Sequence, residues 1–134
     1  MIYSIDVEIT APVNPTEVTD RVADAIENLF PEAEIDPYPG ELLATSHSME
    51  RFSERLHEQA ILDTARGAFF ANQEGNAFSF DLKKQAAFNG TVNFAVGNGS
   101  ELGDIHVRVD VEEPDVEALI DHIAPPTEDG RPIE

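Results

Sequence analysis

Three runs in the C-terminal half, Phe78/Phe80/Leu82, Val92/Phe94/Val96 and Ile105/Val107/Val109/Val111, alternate apolar with polar residues, and only short turn-forming stretches separate them. Period-two alternation marks a half-buried strand. Strands joined by short turns must pair antiparallel, because a parallel pair needs a long crossover. Asn89-Gly90 supplies the turn before the second run, and Gly97-Asn98-Gly99-Ser100 with Leu102-Gly103 forms a glycine-rich hairpin loop before the third. At the other end of the chain Tyr3, Ile5, Val7 and Ile9 alternate in the same way until Ala11-Pro12. Ala33–Tyr38 and Glu41–Thr45 flank Pro39-Gly40 as a further strand pair, with Pro37 keeping the first strand at a sheet edge.

Helical periodicity fills the intervals. Asn14-Pro15-Thr16-Glu17 reads as an N-cap, a proline at the first helical position and a glutamate at N3, followed by the stripe Val18, Val22, Ile26 and Leu29 up to Pro31. Ser46 or Ser48 can cap the next helix, whose stripe is Met49, Phe52, Leu56 and Ala60. Continuing that phase would bury Asp63 or Thr64, whereas the apolar face resumes at Ile61, Ala65, Ala68 and Phe69, so a break within Glu58–Ile61 is expected. Gly67 inside the second piece implies close packing there. Lys83–Phe88 fits a single helical turn or an irregular link better than a continued strand, and a last helix opens near Pro114, buries Val116, Leu119, Ile120 and Ile123, and stops at Pro125-Pro126.

The order is therefore β-α-β-β-α(broken)-β-β-β-α. It defines an α+β class, a single domain over residues 1–124 with a largely antiparallel sheet and amphipathic helices on one face, followed by a polar tail at 125–134. A chain of 134 residues has room for one core, and 41% hydrophobic content is enough to form it. The absence of cysteine excludes disulfides, thiolate metal sites and cysteine nucleophiles. Neither an export signal nor an apolar stretch of membrane-spanning length is evident, so a soluble cytoplasmic protein without membrane association is expected.

Acidic residues number 27 and basic ones 8, a formal charge of −19. The carboxylates of Glu17/Asp20/Asp24/Glu27 and Glu112/Glu113/Asp115/Glu117/Asp121 are dispersed over helix faces, the pattern of a surface adapted to a salt-filled, halophilic cytoplasm. The rival reading is an acidic protein that mimics nucleic acid or binds basic partners, which would gather the charge on one face.

No catalytic, metal or cofactor constellation stands out. His47, His57, His106 and His122 lack ligand spacing, and neither a nucleophile elbow nor a phosphate loop is present. Five of the eight positive charges, Arg51, Arg55, Arg66, Lys83 and Lys84, fall between residues 51 and 84. Arg51–Glu54, Arg55–Glu58 and Asp63–Arg66 can pair at i, i+3 within helices, whereas the two lysines have only Asp81 nearby and stand beside Gln85 and Asn89. Phe78, Phe80, Phe88 and Phe94 can stack on bases, although their phase puts them in the core first.

The stretch Glu58-Gln-Ala-Ile-Leu-Asp-Thr-Ala-Arg66, then Glu74-Gly-Asn76, Phe80-Asp-Leu-Lys-Lys-Gln-Ala-Ala-Phe88, Gly90-Thr-Val-Asn-Phe94, Ala124-Pro and Asp129-Gly-Arg-Pro132 together resemble an archaeal group known as uncharacterised protein family 0201. The resemblance implies a fold like that of the ribosomal protein that binds 5S rRNA, and a role in RNA binding or in an RNA-processing complex. Its motif positions here are Arg66, Asn76, Lys84, Gln85 and Asn93. Lys83 and Asn89 complete the expected patch of Arg66, Asn76, Lys83, Lys84, Gln85, Asn89 and Asn93. The chain is more acidic than such relatives, so RNA contact would rest on a few directed groups. The leading expectation is a non-catalytic RNA-binding protein; the alternative is a protein–protein adaptor or homodimer using the sheet edge or face.

Overall fold

Alternation along the first strand places Ile5, Val7, Ile9 and Ala11 in the core and leaves Asp6 and Glu8 in solvent. In the computed structural model, which describes residues 3–95, 103–128 and 131–132, the elements run β1 (Ser4–Pro12), α1 (Thr19–Leu29), β2 (Glu34–Tyr38), β3 (Glu41–Ser46), α2 (Glu50–Glu58), α3 (Leu62–Ala71), β4 (Gln73–Glu74), β5 (Ala77–Leu82), α4 (Lys84–Phe88), β6 (Ile105–Glu113), α5 (Val116–Ile123), β7 (Thr127–Glu128) and β8 (Arg131–Pro132). The six-stranded sheet has the order β2-β3-β1-β6-β5-β4, with every neighbouring pair antiparallel. A separate ladder joins β7 to β8 in what the sequence presents as a tail.

The inward side chains of β1, β3, β5 and β6 share one core with Val22, Ile26 and Leu29 of α1, Phe52 and Leu56 of α2, Phe69 of α3, and Leu119 and Ile120 of α5. Phe52 is central: its ring lies 5.4 Å from Phe30 and 5.2 Å from Phe80, centroid to centroid. On the other face Glu8 stands opposite Arg108 and Thr45, and Asp81 opposite His106. One face is thus dry and helix-covered, the other open and polar.

The break in the middle helix falls where the stripe changes phase. Residues 59–61 separate α2 from α3, and Ala60 takes a left-handed φ of 57°. Other expectations need correction. Asn14 and Glu17 do interact, the Asn14 N–H and its side-chain amide each donating to Glu17 Oε1 at 3.0 Å. They close a turn ahead of the helix, however, and α1 starts at Thr19, leaving Val18 outside the buried stripe at 60% exposure. Gly67 is exposed and a Cβ there would meet nothing within 4 Å, so no close packing explains it. The run from Val92 is not a full strand: its backbone meets β5 at the isolated bridge Leu82↔Phe94, with Lys83 N–H donating to the Asn93 carbonyl and Ala95 N–H to that of Asp81, the Phe94 ring packs 5.7 Å from that of Phe80, and β6 takes β5's other edge. Val96 and the hairpin loop at Gly97–Leu102 lie outside the described residues.

Candidate nucleic-acid interface

The expected patch does not assemble as one surface. Lys84 opens α4, and the turn directs its side chain inward, where 3% of the residue is exposed. Its ammonium donates to the Pro12 carbonyl and to Glu17 Oε1, the latter at 2.8 Å. Glu17, counted among the surface carboxylates from sequence, is therefore half of a buried ion pair, its side chain 8% exposed. Burial by itself raises the Glu17 carboxyl, but hydrogen bonds from Lys84, the Asn14 N–H and the Asn14 amide, with the positive charge of Lys84, outweigh it and hold the pKa below the usual carboxylate value.

Arg66 is also engaged elsewhere than expected. Its guanidinium pairs with Asp121 at 2.7 Å, donates to the Ala124 carbonyl at 3.0 Å, where α5 ends, and lies 5.2 Å from the Phe70 ring centroid. Asp63, its anticipated i, i+3 partner, instead accepts from the Thr127 hydroxyl. Asn76 is exposed in the turn from β4 to β5, its carbonyl accepting from Val111 N–H at 2.9 Å. Lys83, Gln85, Asn89 and Asn93 are exposed. Asn93 is joined to Lys83 through the backbone, and Asn89 donates its amide to the Gln85 carbonyl at 3.3 Å.

The convergence that does occur lies between α1, α2 and α4. A cleft of about 430 Å³ is lined by Glu27, Asn28 and Pro31 on one side, Arg51 and Arg55 on another, and Phe88-Asn89-Gly90 on a third. Arg51 and Arg55 reach it because they are one turn apart on α2, on a half-buried flank beside the face that buries Phe52 and Leu56. Asn28 secures the third wall by donating its amide to the Ala87 carbonyl at 2.9 Å. Gly90, at φ +72°, lets the chain turn against Arg55; a Cβ at this position would stand 3.0 Å from Arg55 Nη2. The Arg55 guanidinium is not saturated: Nε is buried and lacks a hydrogen-bond partner, and Nη1 meets Glu58 only at 3.6 Å. Outside this lining, the Arg21 guanidinium lies 5.4 Å from the Phe88 ring centroid.

Both Arg51–Glu54 and Arg55–Glu58 pairs are present as spacing predicts, at 3.5 and 3.6 Å. Helix spacing accounts for the pairing of these arginines, and Phe88, half-buried, packs against the core while also lining the cleft. The i, i+4 spacing of Arg51 and Arg55 was the available signal; what it lacked was the position of α4. Among the described residues no group of three or more His, Asp or Glu side chains could hold a metal ion, and no helix is long and apolar enough to cross a membrane.

An α+β sheet open on one face, with a cationic and aromatic cleft among the helices covering the other, is matched over residues 6–111 by a family model described as RNA binding. The chain is 42% identical to a UPF0201 protein of Methanopyrus kandleri, over 95% of this chain and 89% of that one. It is 37% identical to a UPF0200/UPF0201 protein of Archaeoglobus fulgidus over 98% of this chain, which spans 41% of that relative's length. The crystal structure of a UPF0201 protein from Methanococcus jannaschii superimposes with a TM-score of 0.90 at 37% identity, covering 96% of this chain and 99% of that one. The chain belongs to the UPF0201 family of archaeal proteins.

Proposed function

We propose that the protein binds RNA without catalysing a reaction, and that the α1–α2–α4 cleft is its principal contact. The observation that supports this best is the meeting of Arg51 and Arg55 with Phe88 and Asn89 in one concavity, in a chain matched by an RNA-binding family model. Arginine forks suit phosphate, and an aromatic face suits an unstacked base. A net charge of −19 rules out broad electrostatic attraction as the source of affinity, so directed contacts must provide it.

Exposed Gln85 on α4, with exposed Lys83 and Asn93 beside that helix, extends the path for a strand, whereas Lys84, Arg66 and Asn76 act by holding the framework. A cytoplasmic, salt-adapted setting, and a relationship to the fold that binds 5S rRNA, belong to the same reading. Pairing of two copies through the β2 edge is disfavoured because that strand presents Glu34, Asp36 and Pro37.

The test is fluorescence anisotropy of a labelled RNA oligonucleotide in ~2 M KCl, where nonspecific phosphate attraction is largely screened. The double variant Arg51→Gln/Arg55→Gln should lose at least roughly tenfold in affinity, each charge-assisted contact being worth about 1.5–3 kcal/mol. Equal binding by the wild type and this variant would remove the cleft from the proposal.

A further inference from the structure

Two side chains beside the cleft, Glu58 against its arginines and Arg21 against Phe88, imitate the parts of a nucleotide without lining the cleft themselves. The Glu58 carboxylate spans both arginines, Oε1 lying 3.3 Å from Arg51 Nη1 and Oε2 3.6 Å from Arg55 Nη1. This is an oxyanion shared by two guanidinium groups. The contacts are loose and the Glu58 side chain is 53% exposed, so little holds it in place. The planar guanidinium of Arg21 lies over Phe88, 5.4 Å from the ring centroid, where a base would stack.

Resting on the RNA reading above, we infer that the site takes an unpaired RNA strand, one phosphate replacing the Glu58 carboxylate between Arg51 and Arg55 and one base replacing Arg21 on the face of Phe88. A phosphate forms shorter and stronger paired bonds with arginine than an exposed carboxylate at these distances, so it displaces Glu58 into solvent. A duplex does not fit the same chemistry. Its bases are stacked on one another and unable to reach Phe88, and its rows of phosphates require cations spread along a surface. Here the cations converge on a cleft of about 430 Å³ with Glu27 on its wall.

Glu58 is then a built-in competitor, and removing its charge should strengthen binding. Anisotropy is measured in molar KCl on the full chain with a 12-nucleotide single strand and with the same sequence as a duplex, using the wild type, Glu58→Gln, Phe88→Leu and a charge-matched control, Glu8→Gln, on the open sheet face. Glu58→Gln should tighten single-strand binding by up to about fivefold, the range of an exposed ion pair, with Glu8→Gln changing it less than about twofold. Phe88→Leu should weaken it roughly tenfold, the contribution of one base–aromatic stack. RNA binding by the wild type with Glu58→Gln no tighter than Glu8→Gln, or with the duplex bound as well as the single strand, overturns the single-strand site and leaves RNA binding standing. Failure of both the wild type and Glu58→Gln to bind any RNA overturns the RNA reading itself.

Discussion

Lys84 Nζ lies 2.8 Å from Glu17 Oε1, an ion pair closed across 67 residues of sequence and nearly sealed from water on both sides. It fastens the start of α4 to the turn between β1 and α1. By fixing α4 it also fixes Phe88, Asn89 and Gly90 at the wall of the cleft, so a lysine that a sequence reader assigns to RNA contact supports the site from behind.

Removing one partner of a buried pair leaves an uncompensated charge, which typically costs about 3–5 kcal/mol. Lys84→Met should lower unfolding stability in urea by an amount in that range. Lys84→Met combined with Glu17→Gln should recover at least half, because glutamine is neutral and keeps an acceptor for the Asn14 N–H. A single variant as stable as the wild type would show that the pair does not hold α4.

The same pair gives stability a defined pH dependence. Because Glu17 has a folded pKa below its unfolded one, the folded state binds fewer protons across that interval. Its contribution is complete above the unfolded value, near ~4.3 for glutamate, and is lost as pH falls through the folded value. Denaturant titrations between pH 3 and 6 in constant molar salt should show stability rising with pH more steeply in the wild type than in Glu17→Gln, by up to about one proton in the linkage slope. Parallel curves would mean that Glu17 titrates alike in the folded and unfolded states.

Gly90 permits a direct test of the cleft wall. Alanine there must adopt φ +72° and bring its Cβ to 3.0 Å from Arg55 Nη2. The backbone penalty alone is about 1–2 kcal/mol. Gly90→Ala should therefore lower the melting temperature and weaken RNA binding together, whereas Gly67→Ala, at an open helical position, should leave or raise stability.

What the sequence discloses here is mostly local. Ile5, Val7 and Ile9 declare their face because strand periodicity acts over a few residues, and the phase slip after Leu56 marks the α2–α3 break for the same reason. Partnerships across the chain are silent. Nothing near Lys84 points to Glu17, nothing near Arg66 points to Asp121, and Gln59 gives no sign that its side-chain amide will bond both the N–H and the carbonyl of Val92, at 2.7 and 2.9 Å. The site is less legible than the fold because its walls come from three elements, and the position of α4 is decided by a contact 67 residues away.

Salt provides the test of the composition. With 27 acidic and 8 basic residues, self-repulsion at pH 7 opposes folding wherever it is unscreened. The carboxylates of Asp20, Asp24 and Glu27 on α1 and of Glu112, Glu113, Asp115, Glu117 and Asp121 around α5 are exposed, and it is such groups that dissolved ions reach. The Debye length shrinks from roughly 10 Å at 0.1 M to about 3 Å at 1 M, so most repulsion between neighbouring helices disappears over that range. The Lys84–Glu17 pair is shielded from solvent and should respond far less. Circular dichroism melts in ~0.1 M and ~2 M KCl should therefore show a higher melting temperature in the concentrated salt, by several degrees for each ~1 kcal/mol of repulsion removed. Equal melting temperatures in the two salts would overturn the halophilic reading and leave the acidic composition to be explained by a partner.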